Sequence, residues 1–330
     1  MALEIRTSKV GFLSHDGSST ICGTVWEPAL TVRADGAPLR PRGMVQIVHG
    51  MAEYVERYDT FARYLVEHGF IVFGEDHIGH GRSVADESRL GCLPPDGKEI
   101  MIEDVHELRA LVAARYADDT PYFLFGHSMG SFITRAYLAR HGQGVTGAVV
   151  CGTGQQPVLV SRAGNWLARF LCRRKGPDYR SAFLDNLGVG AYAKQIKDAR
   201  TSVDWICTDP AVVDAYIADP LCGVMFSVGG YATLTDLTGE VATRECAERV
   251  PKDLPVLLVA GDEDPVGSCG AGVRKVFDQF KAAGVVDVQL KLYPGMRHEI
   301  LNEPGRAEVF EDVEIWMEKA LLREDSRVEP

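Results

Sequence analysis

Apolar runs of four to seven residues and amphipathic stretches of helical spacing take turns along most of this chain. Residues 43–49, 70–73, 121–125, 146–151, 254–260 and 286–292 are continuously or mainly apolar, the pattern of strands buried on both faces. Residues 58–68 place Phe61, Leu65 and Val66 on one helical face and stop at Gly69. Residues 96–116 carry a stripe of Ile100, Val105, Leu108 and Val112. Residues 128–141 also read as helix, and residues 304–322 carry Val309, Val313, Trp316, Met317 and Ala320. At the start of the chain, residues 10–13 and 20–26 flank the polar turn His15-Asp16-Gly17-Ser18, which predicts an antiparallel hairpin. Residues 28–42, with their prolines and glycines, read as loop.

Apolar strands alternating with amphipathic helices predict an α/β fold: a mostly parallel central sheet covered by helices on both faces. Residues 155–235 break the rhythm. They are helix-like, rich in aromatic and aliphatic side chains, and hold no clear buried strand. The expected organisation is a core of residues 1–154 and 236–330, with residues 155–235 as a helical cap inserted after the sixth strand. Within the cap, Trp166, Leu167, Phe170, Trp205, Tyr216, Met225 and Phe226 suit an apolar substrate, and serve equally well as the cap's own core.

Charge narrows the partners. The 330 residues carry a net charge of -11, which argues against nucleic acid, since phosphate binding is dominated by Lys and Arg. No apolar run approaches the ~18 residues of a membrane span, and Met1 to Arg6 lack the apolar centre of a secretory signal. The eight cysteines are scattered without a C-x-x-C pair and read as reduced and mostly buried. A cytoplasmic location is the expectation. One local exception to the acidic balance is residues 165–175, a basic amphipathic stretch that suits either a cap helix or a transient membrane contact.

Candidate chemistry begins at Gly126-His127-Ser128-Met129-Gly130, a G-x-S-x-G pattern. Alone it is weak. Here an apolar strand runs into it and a helix leaves it, and that setting carries the weight. A sharp strand-to-helix elbow exposes the serine hydroxyl, the flanking glycines remove Cβ atoms that would clash, and the helix N-terminus places a positive dipole end near a developing oxyanion. Serine needs a base, and folds with this elbow run Ser, acid, His along the chain. Only His141 and His298 follow Ser128. His141 closes the helix after the serine, which leaves His298, in the loop after the last strand. The acid belongs at the end of the preceding strand, where Asp262, Glu263 and Asp264 follow Gly261. Asp264 is the first choice because Pro265 fixes the backbone there, and Asp262 is the second. The loop His49-Gly50-Met51-Ala52-Glu53 follows the first core strand, so the amides of Met51 and Met129 are the candidate oxyanion hole.

His77-Ile78-Gly79-His80 matches a signature of class I tRNA synthetases, but no lysine-rich partner loop accompanies it. Asp76, His77 and His80 lack the further ligands of a metal site. A structural turn near the active site is the better reading of residues 76–83.

Taken in order, Val48-His49-Gly50-Met51-Ala52-Glu53 with Arg57-Tyr58, Asp76-His77-Ile78-Gly79-His80-Gly81-Arg82-Ser83, Gly126-His127-Ser128-Met129-Gly130-Ser131, Gly261-Asp262-Glu263-Asp264-Pro265-Val266 and Tyr293-Pro294-Gly295-Met296-Arg297-His298-Glu299 resemble the monoacylglycerol lipase and lysophospholipase-like branch of the α/β hydrolases, the serine aminopeptidase-type hydrolases. The resemblance covers about residues 8–322. It implies an α/β-hydrolase fold and hydrolysis of carboxylic esters (monoacylglycerol, lysophospholipid or small acyl esters) through an acyl-enzyme, with no metal and no organic cofactor. A peptidase or amidase on the same scaffold would need carboxylates in the cap to bind a free amine, and Asp204, Asp209, Asp214 and Asp219 are candidates. A non-catalytic receptor on this fold is the remaining alternative, and it has no use for three intact members of a triad.

Overall fold

The computed structural model describes residues 3–29 and 40–328, with side chains through residue 323. Most of the loop expected at residues 28–42 lies outside the described residues. The chain forms β1 (Ile5–Leu13), β2 (Thr20–Pro28), β3 (Gly43–Val48), α1 (Asp59–Glu67), β4 (Phe70–Asp76), α2 (Gly97–Ala113), β5 (Tyr122–His127), α3 (Met129–His141) and β6 (Gly147–Cys151). Next come α4 (Val158–Lys175), α5 (Ala182–Leu187) and α6 (Pro210–Ala218). The helices α7 (Val228–Val241) and α8 (Arg244–Arg249) lead back to β7 (Val256–Gly261), α9 (Ala271–Ala282), β8 (Val288–Tyr293) and α10 (Arg306–Val328). The boundary expected at residue 235 falls inside α7, which packs on both α3 and α4.

The eight strands make one sheet in the order β1-β2-β4-β3-β5-β6-β7-β8. The hairpin β1–β2 and the β2–β4 pair are antiparallel, and every other pair is parallel. Continuous apolar runs form these strands because both faces are covered. Met44, Val48, Leu124, Ala148, Val150 and Leu258 face α2, α3 and α9. Their neighbours Val45, Ile47, Phe123, Phe125, Val149 and Val259 face α1 and α10, where Phe61, Leu65, Val309, Val313 and Trp316 close the second core. The period of two along each strand thus distributes one apolar run between two cores.

Two strands run further than their apolar residues suggest, β4 to Asp76 and β5 to His127. Most of the polar atoms on these extensions find hydrogen-bond partners, though Glu75 Oε1 is buried without one. Glu75 accepts from the Gln46 amide at 3.2 Å, and Asp76 accepts from the backbone N–H of Val55 at 2.9 Å and of Arg82 at 2.8 Å. Residues 76–83 therefore form a turn closed by Asp76 and by Ser83, whose hydroxyl donates to the Asp76 carbonyl. No group of three or more metal-binding side chains occurs among the described residues.

Three imidazoles meet beneath this turn. His49 lies 4.1 Å from His77 and 5.2 Å from His80, ring centre to ring centre, and all three are buried. The Nδ1–H of His49 donates to the Gly50 carbonyl, while its Nε2 accepts from the His77 backbone N–H, so His49 is neutral. Burial, with the neighbouring imidazoles second, holds His49 well below the usual histidine range. Burial, and then His77, pushes His80 down to about 4. Such groups take up protons more readily in the unfolded chain. Their stabilising contribution is complete above about pH 6.5 and is lost as pH falls toward about 4, on the order of 3 kcal/mol for His80 alone. Thermal unfolding measured from pH 7 to pH 4 is expected to show Tm falling with acid, and His80→Gln is expected to flatten that slope.

Candidate active site

Ser128 stands alone between β5 and α3, at φ 53° and ψ −120°. Non-glycine residues rarely occupy such a conformation, and holding one there costs about 1–3 kcal/mol. The surroundings enforce it. The Ser128 N–H donates to the Cys151 carbonyl at 3.0 Å, and the Ser128 carbonyl accepts from the Ser131 amide at 2.9 Å and the Ser131 hydroxyl at 2.6 Å. A Cβ on Gly130 would sit 1.9 Å from the Val48 carbonyl oxygen, and one on Gly126 would sit 2.2 Å from Thr134 Oγ1. Both glycines of the motif are thus steric necessities. Met129 is the first residue of α3, where a helix amide has no intrahelical partner and points toward whatever lies at the helix start.

His298 sits in the loop after β8, and its Nδ1 lies 2.9 Å from Asp264 Oδ2. Both side chains are buried. A carboxylate oxygen only accepts, so Nδ1 carries the proton and Nε2 is free to take one. The other oxygen, Asp264 Oδ1, accepts from the Val266 amide at 2.9 Å, which fixes the carboxylate plane. Asp262 does different work: its Oδ1 accepts from the Gly295 amide at 2.7 Å and braces the start of the histidine loop. His141 pairs with Glu103 at 2.9 Å on α3's far end. A Cβ on Gly152 would come 3.1 Å from His298 Cε1, so the end of β6 makes room for the imidazole.

Gly50, Met51, Ser128, Met129 and His298 line one cavity of about 340 Å³ at the carboxyl ends of the strands. Of the cap residues expected there, Trp205, Tyr216 and Met225 line it too. Phe226 is fully buried instead, against His80 at 5.3 Å. Trp166 and Phe170 stand on the outer face of α4, 67% and 41% exposed and stacked on each other at 5.8 Å. The reason is helical spacing. α4 turns Ser161, Asn165 and Ala168 toward α7, where the Asn165 amide donates to the Ala232 carbonyl, and this leaves residues 166 and 170 outside.

Along the wall of the cavity, at Glu53, His127 and Glu299, lies a group of buried charges with no role assigned from the sequence. Glu53 accepts from the Gly50 amide at 2.6 Å, the Tyr58 hydroxyl at 2.7 Å and Arg57 at 2.7 Å. Arg57 also grips Glu299 with both Nη atoms, at 2.7 and 2.8 Å. His127 Nε2 faces the His298 carbonyl at 3.2 Å, and a carbonyl can only accept. His127 Nδ1 faces the Tyr58 oxygen at 2.9 Å, whose proton is committed to Glu53. With the Tyr58 proton on Glu53, both ring nitrogens face acceptors, an arrangement that favours the charged form of His127. Burial opposes that charge, but the hydrogen bond and charge of Glu53 outweigh it and raise His127 above its ordinary value. Burial would likewise raise Glu53, yet the His127 hydrogen bond and Arg57 hold it well below the carboxylate range. Two carboxylates thus face one guanidinium and one imidazole, and the group ties the loop after β3, the elbow and the loop after β8 together. Its sequence signal was the placing of charged residues one or a few positions from each motif: Glu53 beside Met51, His127 beside Ser128, Glu299 beside His298.

The geometry has relatives. The sequence pattern of the family described as serine aminopeptidase, S33, matches residues 39–305. The chain belongs to this family. Within and around it, the chain is 33% identical over 288 residues to a monoacylglycerol lipase of Mycolicibacterium smegmatis, covering 84% of this chain and 88% of that one. It is 24% identical over 315 residues to the human monoglyceride lipase, covering 92% and 88%. Among solved structures, a thermostable carboxyl esterase from Bacillus coagulans in complex with glycerol superposes with a TM-score of 0.86 at 33% identity, over 96% of this chain and 99% of that one. The family's α/β-hydrolase fold is the fold seen here.

Removing the central cation of the buried group leaves Glu53 and Glu299 without their partner. Arg57→Met is expected to lower the unfolding free energy by about 3–5 kcal/mol, read from urea denaturation midpoints at neutral pH.

Proposed function

We propose that this ester hydrolase cleaves monoacylglycerols or related small acyl esters through an acyl-enzyme on Ser128. The observation that carries the reading is the buried His298–Asp264 pair opening onto the same cavity as the strained elbow of Ser128. Ser128 Oγ attacks the ester carbonyl as His298 Nε2 takes its proton, and Asp264 stabilises the imidazolium. The amides of Met51 and Met129 receive the oxyanion, each such donor contributing roughly 3 kcal/mol in the transition state. Collapse expels the alcohol, protonated by His298, and the same base then activates water to release the acid.

Phe132, Val189, Val203, Val224, Leu234 and Val266 also line the cavity and suit an acyl chain. The four carboxylates expected to bind a peptidase substrate's amine are engaged elsewhere. Asp204 accepts from the Arg200 amide and the Thr201 hydroxyl, Asp209 caps α6 through the Ala211 amide, Asp214 pairs with Arg200, and Asp219 accepts from the Tyr54 hydroxyl. None of the four lines the cavity.

Contact with a lipid surface belongs to the same reading. The outer face of α4 presents Leu159, Trp166 and Phe170, flanked by Arg162, Arg173, Arg174 and Lys175. Apolar and aromatic side chains ringed by cations suit an anionic membrane surface despite the net charge of -11. No described helix is long and apolar enough to cross a membrane. The eight free cysteines accord with a reducing, cytoplasmic setting.

Ser128→Ala is expected to abolish labelling by a fluorophosphonate, and labelling that persists at another serine would refute the assignment. Asp264→Asn is expected to lower kcat on p-nitrophenyl esters by roughly 10³–10⁴-fold, whereas Asp262→Asn stays within about threefold. Turnover of aminoacyl arylamides above that of the esters would favour the peptidase. The double variant Trp166→Ser, Phe170→Ser is expected to sediment less with phosphatidylglycerol vesicles while hydrolysing a soluble ester at the normal rate.

A further inference from the structure

The turn that carries Met51 is held at both ends. On one side the Glu53 carboxylate accepts from the Gly50 amide at 2.6 Å. On the other, Ala52 sits at φ 54°, a conformation that strains any residue with a Cβ. The Ala52 carbonyl receives two hydrogen bonds, from the Gly223 amide at 3.0 Å and from the Tyr216 hydroxyl at 3.1 Å. Both donors belong to the cap. The ring of Tyr216 also lies under the Arg57 guanidinium, 4.9 Å from its centre. So the strained peptide next to the candidate oxyanion donor is kept in place by the inserted segment, not by the sheet beneath it.

The same segment is fastened on the opposite side of the cavity, to the loop that bears His298. The Glu299 amide donates to the Ile206 carbonyl at 2.7 Å. Arg297 Nη1 donates to the carbonyls of Asp204, at 2.7 Å, and Cys207, at 3.2 Å. The Thr208 amide donates to Glu303 at 3.0 Å. Trp205 lays its ring against the His298 imidazole, 5.1 Å between centres. Residues 204–223 thus form a strap across the site with one end on the base and the other on the oxyanion turn.

We propose that this strap is part of the catalytic frame: Tyr216 is a positioning residue that aims the Met51 amide by holding the Ala52 carbonyl, so a cap that lifts at residues 204–223 disarms the site. Tyr216 had been a candidate for substrate contact. Its hydroxyl is instead spent on the backbone, where it acts through the oxyanion turn. The inference rests on Ser128 as nucleophile and on Met51 as an oxyanion donor.

Tyr216→Phe removes the hydroxyl and leaves the ring over Arg57. Tyr54→Phe is the control, since its hydroxyl ties the same strap to the core through Asp219, at 2.8 Å, without touching Ala52. For Tyr216→Phe on a p-nitrophenyl ester, kcat is expected to fall roughly fivefold to tenfold with KM within about twofold. Affinity for a trifluoromethyl ketone, whose adduct with serine places an oxyanion in the hole, is expected to fall by the same factor. Tyr54→Phe is expected to keep kcat within about twofold while losing a similar amount of Tm, as one hydrogen bond is lost in each. An unchanged kcat in Tyr216→Phe, a rise in KM alone, or equal losses of kcat in both variants would overturn the proposal. Labelling that survives Ser128→Ala would sink the assignment of the nucleophile. Labelling that depends on Ser128, together with an unmoved kcat in Tyr216→Phe, sinks only the strap.

Discussion

The site depends on one close approach: the first turn of α3 lies against the end of β3, with Gly130 so near the Val48 carbonyl that no side chain fits between them. That contact leaves Ser128 no ordinary backbone conformation, because the chain must turn from strand to helix within a single residue. It also brings the loop after β3 to Ser128, since a Cβ on Gly50 would lie 3.1 Å from Ser128 Cβ. Ser128 and the turn at Gly50 are neighbours because two backbones touch. The core on both faces of the sheet supplies the stability from which this local strain is drawn.

Around that contact the molecule buries charge where an apolar filling would cost less. Glu53, Arg57, Glu299 and His127 are all largely withdrawn from water, and desolvation of each is expensive. Their mutual pairing offsets that cost, and directionality is what they add. Hydrogen bonds fix angles in a way that hydrophobic contact does not, and these run from the turn at Gly50 to the elbow and on to the carbonyl of His298 itself. The His298 imidazole thus has its side chain held by Asp264 and its backbone held by His127.

Much of this was legible along the chain, and the misses share a cause. The central strands announced themselves because burial on both faces demands unbroken apolar runs, and the stripe from Val309 to Ala320 is the buried face of α10. Strand ends were obscured where Glu75, Asp76 and His127 continue the ladder with polar side chains, since their partners, such as Gln46 and Val55, lie far away in sequence. Local backbone logic favours Asp264 over Asp262, and the two carboxylates meet different parts of the loop after β8, Asp264 at His298 and Asp262 at Gly295. Faces of the cap helices were not legible. Trp166 and Phe170 form an apolar stripe on α4, but whether such a stripe faces in or out depends on what lies opposite, and the small residues of α4 are the ones that meet α7. The roles of the buried charges were hidden for the same reason, because Arg57 and Glu299 stand 242 positions apart.

The most direct test is a crystal structure of the enzyme after reaction with a fluorophosphonate. The account predicts phosphorus on Ser128 Oγ, a phosphoryl oxygen about 2.7–3.1 Å from the amide nitrogens of both Met51 and Met129, and His298 still bonded to Asp264. An adduct whose oxygen turns away from both amides, or an imidazole parted from Asp264 and out of reach of the serine, would contradict it.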